Sequence, residues 1–184
     1  MTDHTNFEMH KEARRITDKE MISAILKHCH VATVVMHDEP YPYAVSMNYG
    51  FCWEEKPIFY FHMAQTGLKL SLLQKNPKVM LSIHDWLDRA GYQPYRKENH
   101  DYRSVNVFGT ARIITPEDEE TFLKGMSVLQ QNNYRPPVKQ LTTRMRDRLF
   151  VLEVTGEIIT AKSQYPISTL EEVPMPENVP NTPK

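Results

Sequence analysis

The sequence predicts a mainly β fold, an antiparallel barrel of six short strands with helices packed outside it. The chain has 184 residues, a length that suits one domain with one main core. Hydrophobic residues make up 40% and aromatic residues 10% of the chain, which is enough to fill that core. Apolar and polar residues alternate through several short segments joined by short connections, as in antiparallel barrels.

Six segments show the period-two alternation of a strand. The clearest is 43–49, in which Tyr43, Val45, Met47 and Tyr49 alternate with small or polar residues. The predicted strands are 31–36, 43–49, 58–63, 79–84, 102–114 and 149–160.

Three segments carry helix start and stop signals. Thr17 and Glu20 have the spacing of a capping box before an apolar helix face. Thr115 fits an N-cap, because Pro116 follows at the first helical position. The predicted helices cover 17–28, 66–76 and 115–134.

Two regions lack a core pattern. The stretch 85–101 contains Gly91, Pro94 and many charges, and it is expected to form a long irregular loop. The segment 166–184 is rich in proline and poor in core-forming residues, which predicts an extended or disordered tail. The domain organisation expected is therefore one domain over 1–165 followed by this tail.

Composition excludes several classes of function. Lys and Arg total 22 against 23 Asp and Glu, so the chain lacks the positive charge of a general nucleic-acid binder. No segment has the length and apolarity of a membrane span or a secretory signal, and a cytoplasmic protein is expected. Cys29 and Cys52 are expected to be reduced thiols. The run His28-Cys29-His30 would splay its side chains, so no metal site is predicted.

A turn between a strand and a helix is the clearest candidate site. Gly67, Leu68 and Lys69 are expected to present unpaired backbone N–H groups in the first helical turn, which favours an anion. A lysine in this turn opposes the helix dipole unless a bound anion offsets its charge. From the spacing alone, a solvated surface lysine with Thr66 as an ordinary cap explains the pattern equally well.

Several motifs occur together in one order along most of the chain. They are PYAVSMNYG at 42–50, YFHMA at 60–64 with Gly67 and Lys69, NPKV at 76–79, and YRSV at 102–105 with Phe108-Gly109. In this order the sequence resembles the pyridoxamine 5′-phosphate oxidase-related flavin-binding proteins, and within them the 5-nitroimidazole-resistance branch. The resemblance covers about 15–160 and leaves out the tail and the 85–101 loop.

The resemblance implies a six-stranded split β-barrel that forms a homodimer with FMN at the subunit interface. It also implies a role for each matching residue. The FMN phosphate would be held by Gly67 and Lys69, and the isoalloxazine would be lined by Ser46, Met47, Asn48 and Tyr49. The ribityl chain would run beside His62, Met63 and Ala64. The flavin of the other subunit would be reached by Ser104 and Val105.

His62 has two interpretations that the sequence does not separate. In the nitroimidazole-resistance branch, the matching histidine lies in the active site near the flavin, which implies a catalytic role. The other interpretation is a histidine hydrogen-bonded at the barrel rim, because a lone histidine specifies little by itself.

The function that the resemblance implies is an FMN-dependent oxidoreductase that reduces a small planar acceptor such as a nitroaromatic. Two alternatives stay open: a non-catalytic flavin-binding or flavin-sensing protein, and a split-barrel protein that handles haem. The GxSxG, Walker and Rossmann glycine patterns are absent, so hydrolase, NTPase and dinucleotide-fold functions lack their defining residues. The sequence does not identify the physiological acceptor or the electron donor.

Overall fold

The computed structural model describes residues 9–88 and 100–163. The segments 89–99 and 164–184, which include most of the predicted loop and the tail, lie outside the described residues. In chain order the elements are a 3₁₀ turn (Glu12–Arg14), β1 (Arg15–Ile16), α1 (Lys19–His28), β2 (Val31–Met36), β3 (Tyr43–Asn48), β4 (Gly50–Trp53), β5 (Pro57–Ala64), α2 (Leu68–Lys75), β6 (Lys78–Asp88), β7 (His100–Ile114), α3 (Glu119–Asn132), α4 (Thr143–Arg148) and β8 (Leu149–Ser163).

The described strands form one antiparallel sheet that curls until its two ends meet. The strand order is β3-β2-β6-β7-β8-β5-β4, and the short β1 pairs with β8 beside this path. The end strands β3 and β4 are joined by a single residue, Tyr49. No ladder among the described strands connects β3 to β4 or β5, so a seam remains between the two ends. The sheet is therefore a split barrel, as predicted.

Two apolar cores lie on opposite sides of this sheet. The inner core collects the inward side chains of the strands, such as Val34, Leu81 and Val107, together with one face of α1 and of α2. In the outer core, α3 packs against β4, β5 and β8, and Tyr60 and Phe122 lie at the centre of this core. Helix α3 packs on β4, β5 and β8, and β4 is the end strand beside the seam. The C-terminal end of α3 therefore forms one wall of the seam.

All six predicted strands are present, and the structure adds two. Strand β1 has only two residues, too few for an alternation pattern to be visible in the sequence. Strand β4 follows β3 after one residue, so the sequence offers no turn signal between them. Strands β6 and β7 also extend into the predicted loop, as far as Asp88 and from His100.

Two predicted helix starts are wrong by one to three residues. Asp18, and not Thr17, caps α1 by accepting a hydrogen bond from the Met21 N–H at 2.8 Å. Helix α3 begins after Asp118, because Thr115 to Asp118 forms a separate turn first. In both cases an aspartate carboxylate is available closer to the helix and satisfies the free N–H groups. No helix in the described ranges has the length and apolarity needed to cross a bilayer.

Candidate functional site

A groove opens at the seam, between the end of β3, the middle of β5 and the C-terminal end of α3. Its volume is about 210 Å³. The residues that line it are Asn48, His62, Leu129, Gln130, Asn133 and Arg135. Two of the predicted site residues, Asn48 and His62, thus meet here although 14 positions separate them in the sequence.

His62 enters the groove because of strand alternation. Its neighbours Phe61 and Met63 point into the inner core, so the His62 side chain points outward. Tyr60 shares that outward face but is covered by α3, whereas His62 lies beyond the covered part and is exposed. Partial burial, together with the positive charge of Lys69, lowers the pKa of His62 below its ordinary value. The imidazole is therefore mostly neutral at neutral pH.

Lys69 lies in the first turn of α2 and reaches across the seam to β3. Its Nζ is 3.3 Å from the Met47 Sδ, a weak acceptor for an ammonium group. Burial lowers the pKa of Lys69 below its ordinary value. Among the described residues no carboxylate forms an ion pair with Lys69. The seam therefore contains a partly desolvated positive charge that lacks a protein counter-ion.

The turn before α2 leaves backbone donors available beside this charge. Gly67 occupies the N-cap with a φ of 110°, a conformation that favours glycine, and no side chain caps the helix. A Cβ added at Gly67 would meet nothing within 4 Å, so the turn is open on that side. Leu70 and Ser71 donate to the Gly67 carbonyl, whereas the N–H groups of Leu68 and Lys69 bond to no backbone carbonyl of the described residues. An anion has room and donors here.

The β3 wall of the seam is polar. Ser46 and Asn48 are exposed, and the Ser46 Oγ lies 3.2 Å from the Thr33 Oγ1 on the neighbouring strand. The Asn48 Nδ2 donates to the His30 carbonyl at 3.3 Å, which fixes the amide beside the groove. Met47, between them, is half-buried and faces the inner core and Lys69.

The α3 wall of the groove is attached to the junction of the two sheet ends. The Asn132 and Asn133 Nδ2 atoms both donate to the Tyr49 carbonyl at 3.2 Å. The backbones also touch at Gly50, where an added Cβ would lie 2.4 Å from the Val128 carbonyl oxygen. This close contact sets the position of Asn133 and of Arg135, which follows it, relative to His62.

Gln130, Asn133 and Arg135 were not predicted as site residues. The available signal was the amide-rich end of α3, Gln130-Gln131-Asn132-Asn133, directly before a break at Arg135. Asparagine is common where a helix ends, so this signal indicates a C-cap and does not indicate a groove.

Several predicted site residues have side chains that do not face the groove, and three of these side chains are buried: those of Tyr49, Met63 and Val105. Tyr49 is fully buried, and its hydroxyl donates to the Leu26 carbonyl at 2.7 Å; burial raises the pKa of this phenol well above its ordinary value. Met63 and Val105 are also buried in the inner core. A ligand in the seam could meet only the backbone of Tyr49 and Met63, whereas Ala64 is exposed on the His62 face of β5.

Ser104 and Val105 lie in another part of the sheet. They belong to β7, which is separated from β3 by β2 and β6. Ser104 is opposite His84 on β6 and Lys162 on β8. Within one chain they do not join the His62 groove.

The curled antiparallel sheet, open along one seam, defines the split-barrel class of proteins. Residues 18–163 match the family model described as pyridoxamine 5′-phosphate oxidase. The chain therefore belongs to the pyridoxamine 5′-phosphate oxidase family, as the order of its motifs indicated. None of the curated proteins compared with the chain matches it.

Several solved structures are similar to the chain in fold. A candidate 5-nitroimidazole antibiotic resistance protein from Bacteroides thetaiotaomicron is 23% identical with a TM-score of 0.62, covering 86% of this chain and 96% of that one. The flavocytochrome from Azotobacter vinelandii is 17% identical with a TM-score of 0.61, covering 100% and 94%. The FAD and heme binding protein from Mycobacterium smegmatis is 15% identical with a TM-score of 0.59, covering 92% and 91%. At these identities the likeness concerns the fold.

Proposed function

We propose that this protein is a flavoprotein that binds FMN in the seam and reduces a small planar acceptor such as a nitroaromatic. The observation that carries the proposal is Lys69, a partly desolvated ammonium group at an open helix start, without a carboxylate partner in the described chain. Its unfavourable position in the first helical turn is explained if a phosphate binds there. The flavin- and haem-binding proteins among the similar structures support a redox role.

The residues present fit FMN. The phosphate would be held by the backbone N–H groups of the turn at Gly67 and by the Lys69 ammonium group. The ring system would lie along the β3 wall, beside Ser46, Asn48 and the backbone of Met47 and Tyr49. The ribityl chain would pass the outward face of β5, next to Ala64 and the backbone of Met63.

FMN, when bound, would supply the transfer of electrons to the acceptor. The chain would supply the binding site and a proton. His62 lies in the groove next to this site, and its mostly neutral imidazole can accept a proton from solvent and pass it to a reduced acceptor. Arg135, on the α3 wall, would attract acceptors that have a negatively charged or nitro group.

A second subunit would complete the site. The outward face of β3, β2, β6, β7 and β8 has side chains that belong to neither apolar core of the described chain. The strand registers align these side chains in two rows. The apolar row is Ala44, Val35, Met80, Phe108 and Ile158, and the polar row is Ser46, Thr33, Ser82, Asn106 and Thr160. Ser104 borders this face, so dimerisation through it would bring Ser104 and the backbone of Val105 toward the partner's flavin.

The homodimer can be tested by placing a charge in the apolar row. Val35→Arg is expected to convert the dimer to a monomer, because it would bury an unpaired guanidinium at the centre of the interface. Light scattering coupled to size-exclusion chromatography measures this change. Gln74→Arg, on the exposed face of α2, is the matched control and should stay dimeric. A wild-type monomer at saturating FMN would contradict the proposed dimer.

Lys69 provides the direct test of FMN binding. Lys69→Glu is expected to weaken FMN by about 2 kcal/mol, roughly 30-fold, since a charge-assisted contact is replaced by repulsion. Riboflavin, which lacks the phosphate, should bind wild type and variant alike. Quenching of flavin fluorescence measures both affinities.

Lys75→Glu, at the other end of the same helix, is the control for a general effect of charge. If Lys69→Glu leaves FMN affinity unchanged, the lysine is a solvated surface residue. The visible spectrum of the wild-type protein mixed with FMN or with haem tests the cofactor itself. A Soret band with haem and no binding of FMN would contradict the proposed function.

A further inference from the structure

A second pocket lies between the N-terminal segment and the ends of β7 and β8. It shares no residue with the His62 groove. Its volume is about 300 Å³. The lining residues are Met9, His10, Lys11, Arg14, Tyr102 and Lys162.

Strand β1 builds this pocket. Arg15 pairs with Lys162 of β8, which brings the preceding 3₁₀ turn, Glu12–Arg14, next to Tyr102 of β7. The Arg14 Nη1 then donates a hydrogen bond to the Tyr102 hydroxyl at 3.1 Å. The Lys162 Nζ lies 5.7 Å from the centroid of the same ring. Two positive side chains are thus held at one tyrosine by backbone pairing.

The described part of the lining is positively charged. Lys11, Arg14 and Lys162 are cationic, and no carboxylate belongs to the part of the lining that the structure describes. None of these three side chains forms an ion pair with a described residue. The carboxylate of Glu12, which follows Lys11 in the sequence, is paired with Arg15. Like charges brought together repel one another, so the arrangement favours a bound anion.

We propose that this pocket binds the diphosphate group of a small ligand. An arginine fork and two ammonium groups supply several donors to phosphate oxygens, and the Tyr102 ring offers a flat surface for the attached organic group. A volume of about 300 Å³ accommodates a diphosphate with part of the attached sugar. The source of the diphosphate is either a reduced nicotinamide dinucleotide or a simple nucleoside diphosphate. The site needs none of the residues proposed to bind FMN.

Isothermal titration calorimetry on the full chain at low ionic strength tests this proposal. The probes are inorganic pyrophosphate, ADP and the reduced nicotinamide dinucleotide NADPH, titrated separately. One site per chain is expected, and Arg14→Gln or Lys162→Gln should weaken binding of each probe at least about tenfold. Tyr102→Phe keeps the ring but removes the hydroxyl that orients Arg14, so it should weaken binding by a smaller factor. Thermal melting checks that each variant is folded.

Two controls separate this site from other positive groups. Lys139→Gln, at an exposed lysine elsewhere, should leave the affinities unchanged. Saturation with FMN, which would occupy the proposed phosphate site at Lys69, should also leave them unchanged, which distinguishes this pocket from that site. Similar affinity for all three probes would show that the pocket recognises the diphosphate alone. Tighter binding of NADPH than of the other two probes would show that the ligand is the dinucleotide. Absence of saturable binding up to millimolar probe, or loss of binding at saturating FMN with retention in Arg14→Gln, would overturn the proposal.

Discussion

Replacing His62 with alanine is expected to lower the reduction of a nitroaromatic or a quinone by about 100-fold while FMN stays bound. The side chain is exposed in the groove and belongs to neither apolar core of the described residues, whereas its neighbours Phe61 and Met63 are buried. An imidazole contributes little to anchoring an apolar ring. The proposed role of His62 is to transfer a proton. His62→Ala should therefore lower turnover and leave FMN affinity unchanged.

The pH dependence of turnover identifies this role. Burial and the Lys69 charge lower the pKa of His62, so the protonated form becomes populated only as pH falls toward that lowered value. If His62 is the general acid, turnover rises as pH decreases from 8, and His62→Ala removes the rise. Lys69→Gln removes the neighbouring charge, so it should raise the pKa of His62 and move the profile to higher pH.

His37→Ala, at an exposed histidine in the connection between β2 and β3, is the matched control and should keep full turnover. Loss of FMN or of folding in His62→Ala would make His62 a structural residue at the barrel rim. Unchanged turnover, with FMN bound, would assign the proton to water.

Gly50→Ala is expected to destabilise the protein by about 3 kcal/mol and to displace the end of α3. The added Cβ would lie 2.4 Å from the Val128 carbonyl oxygen and 2.5 Å from the Leu129 Cα. These are backbone atoms, so no side-chain rotation relieves the overlap, and the helix must move away from β4. Denaturant unfolding measures the loss of stability, and limited proteolysis near Arg135 reports the displaced helix.

Gly67→Ala separates this overlap from the general effect of adding a methyl group at a glycine. Its Cβ would meet nothing within 4 Å, so the only cost is backbone strain at a φ of 110°, about 1 kcal/mol. Helix α3 should stay protected in this variant. If Gly50→Ala is as stable as the wild type, the close contact between β4 and α3 does not determine the shape of the groove.

The strands could be predicted from the sequence because burial in this fold follows alternation. Tyr43, Val45 and Met47 face the core and the residues between them are exposed, as the pattern of β3 indicated. The same alternation of inward and outward side chains holds on β5. Met63 has the parity of Phe59 and Phe61, so its side chain points inward, and His62 points outward.

The α3 wall of the groove could not be predicted in this way. It depends on contacts between Asn132 or Asn133 and the Tyr49 carbonyl, which are more than 80 positions apart in the sequence. Arg135 enters the groove only because these contacts and the Gly50 approach fix the end of the helix. A local sequence pattern predicts where a helix ends, but it does not predict which distant residues the end of the helix contacts.

The central position of β8 has a consequence for the synthesis of the chain. Strand β8 is the last described strand in sequence, yet it pairs with β1, β5 and β7. Without it, the described sheet separates into a β3-β2-β6-β7 part and a β5-β4 part that no strand pairing connects. A nascent chain that has not yet released residues 149–163 from the ribosome must therefore carry two open sheet edges, at β5 and β7, which other chains can pair with. Folding of this barrel is expected to be completed only after residues 149–163 have left the ribosome, and to be sensitive to chaperones that shield those edges.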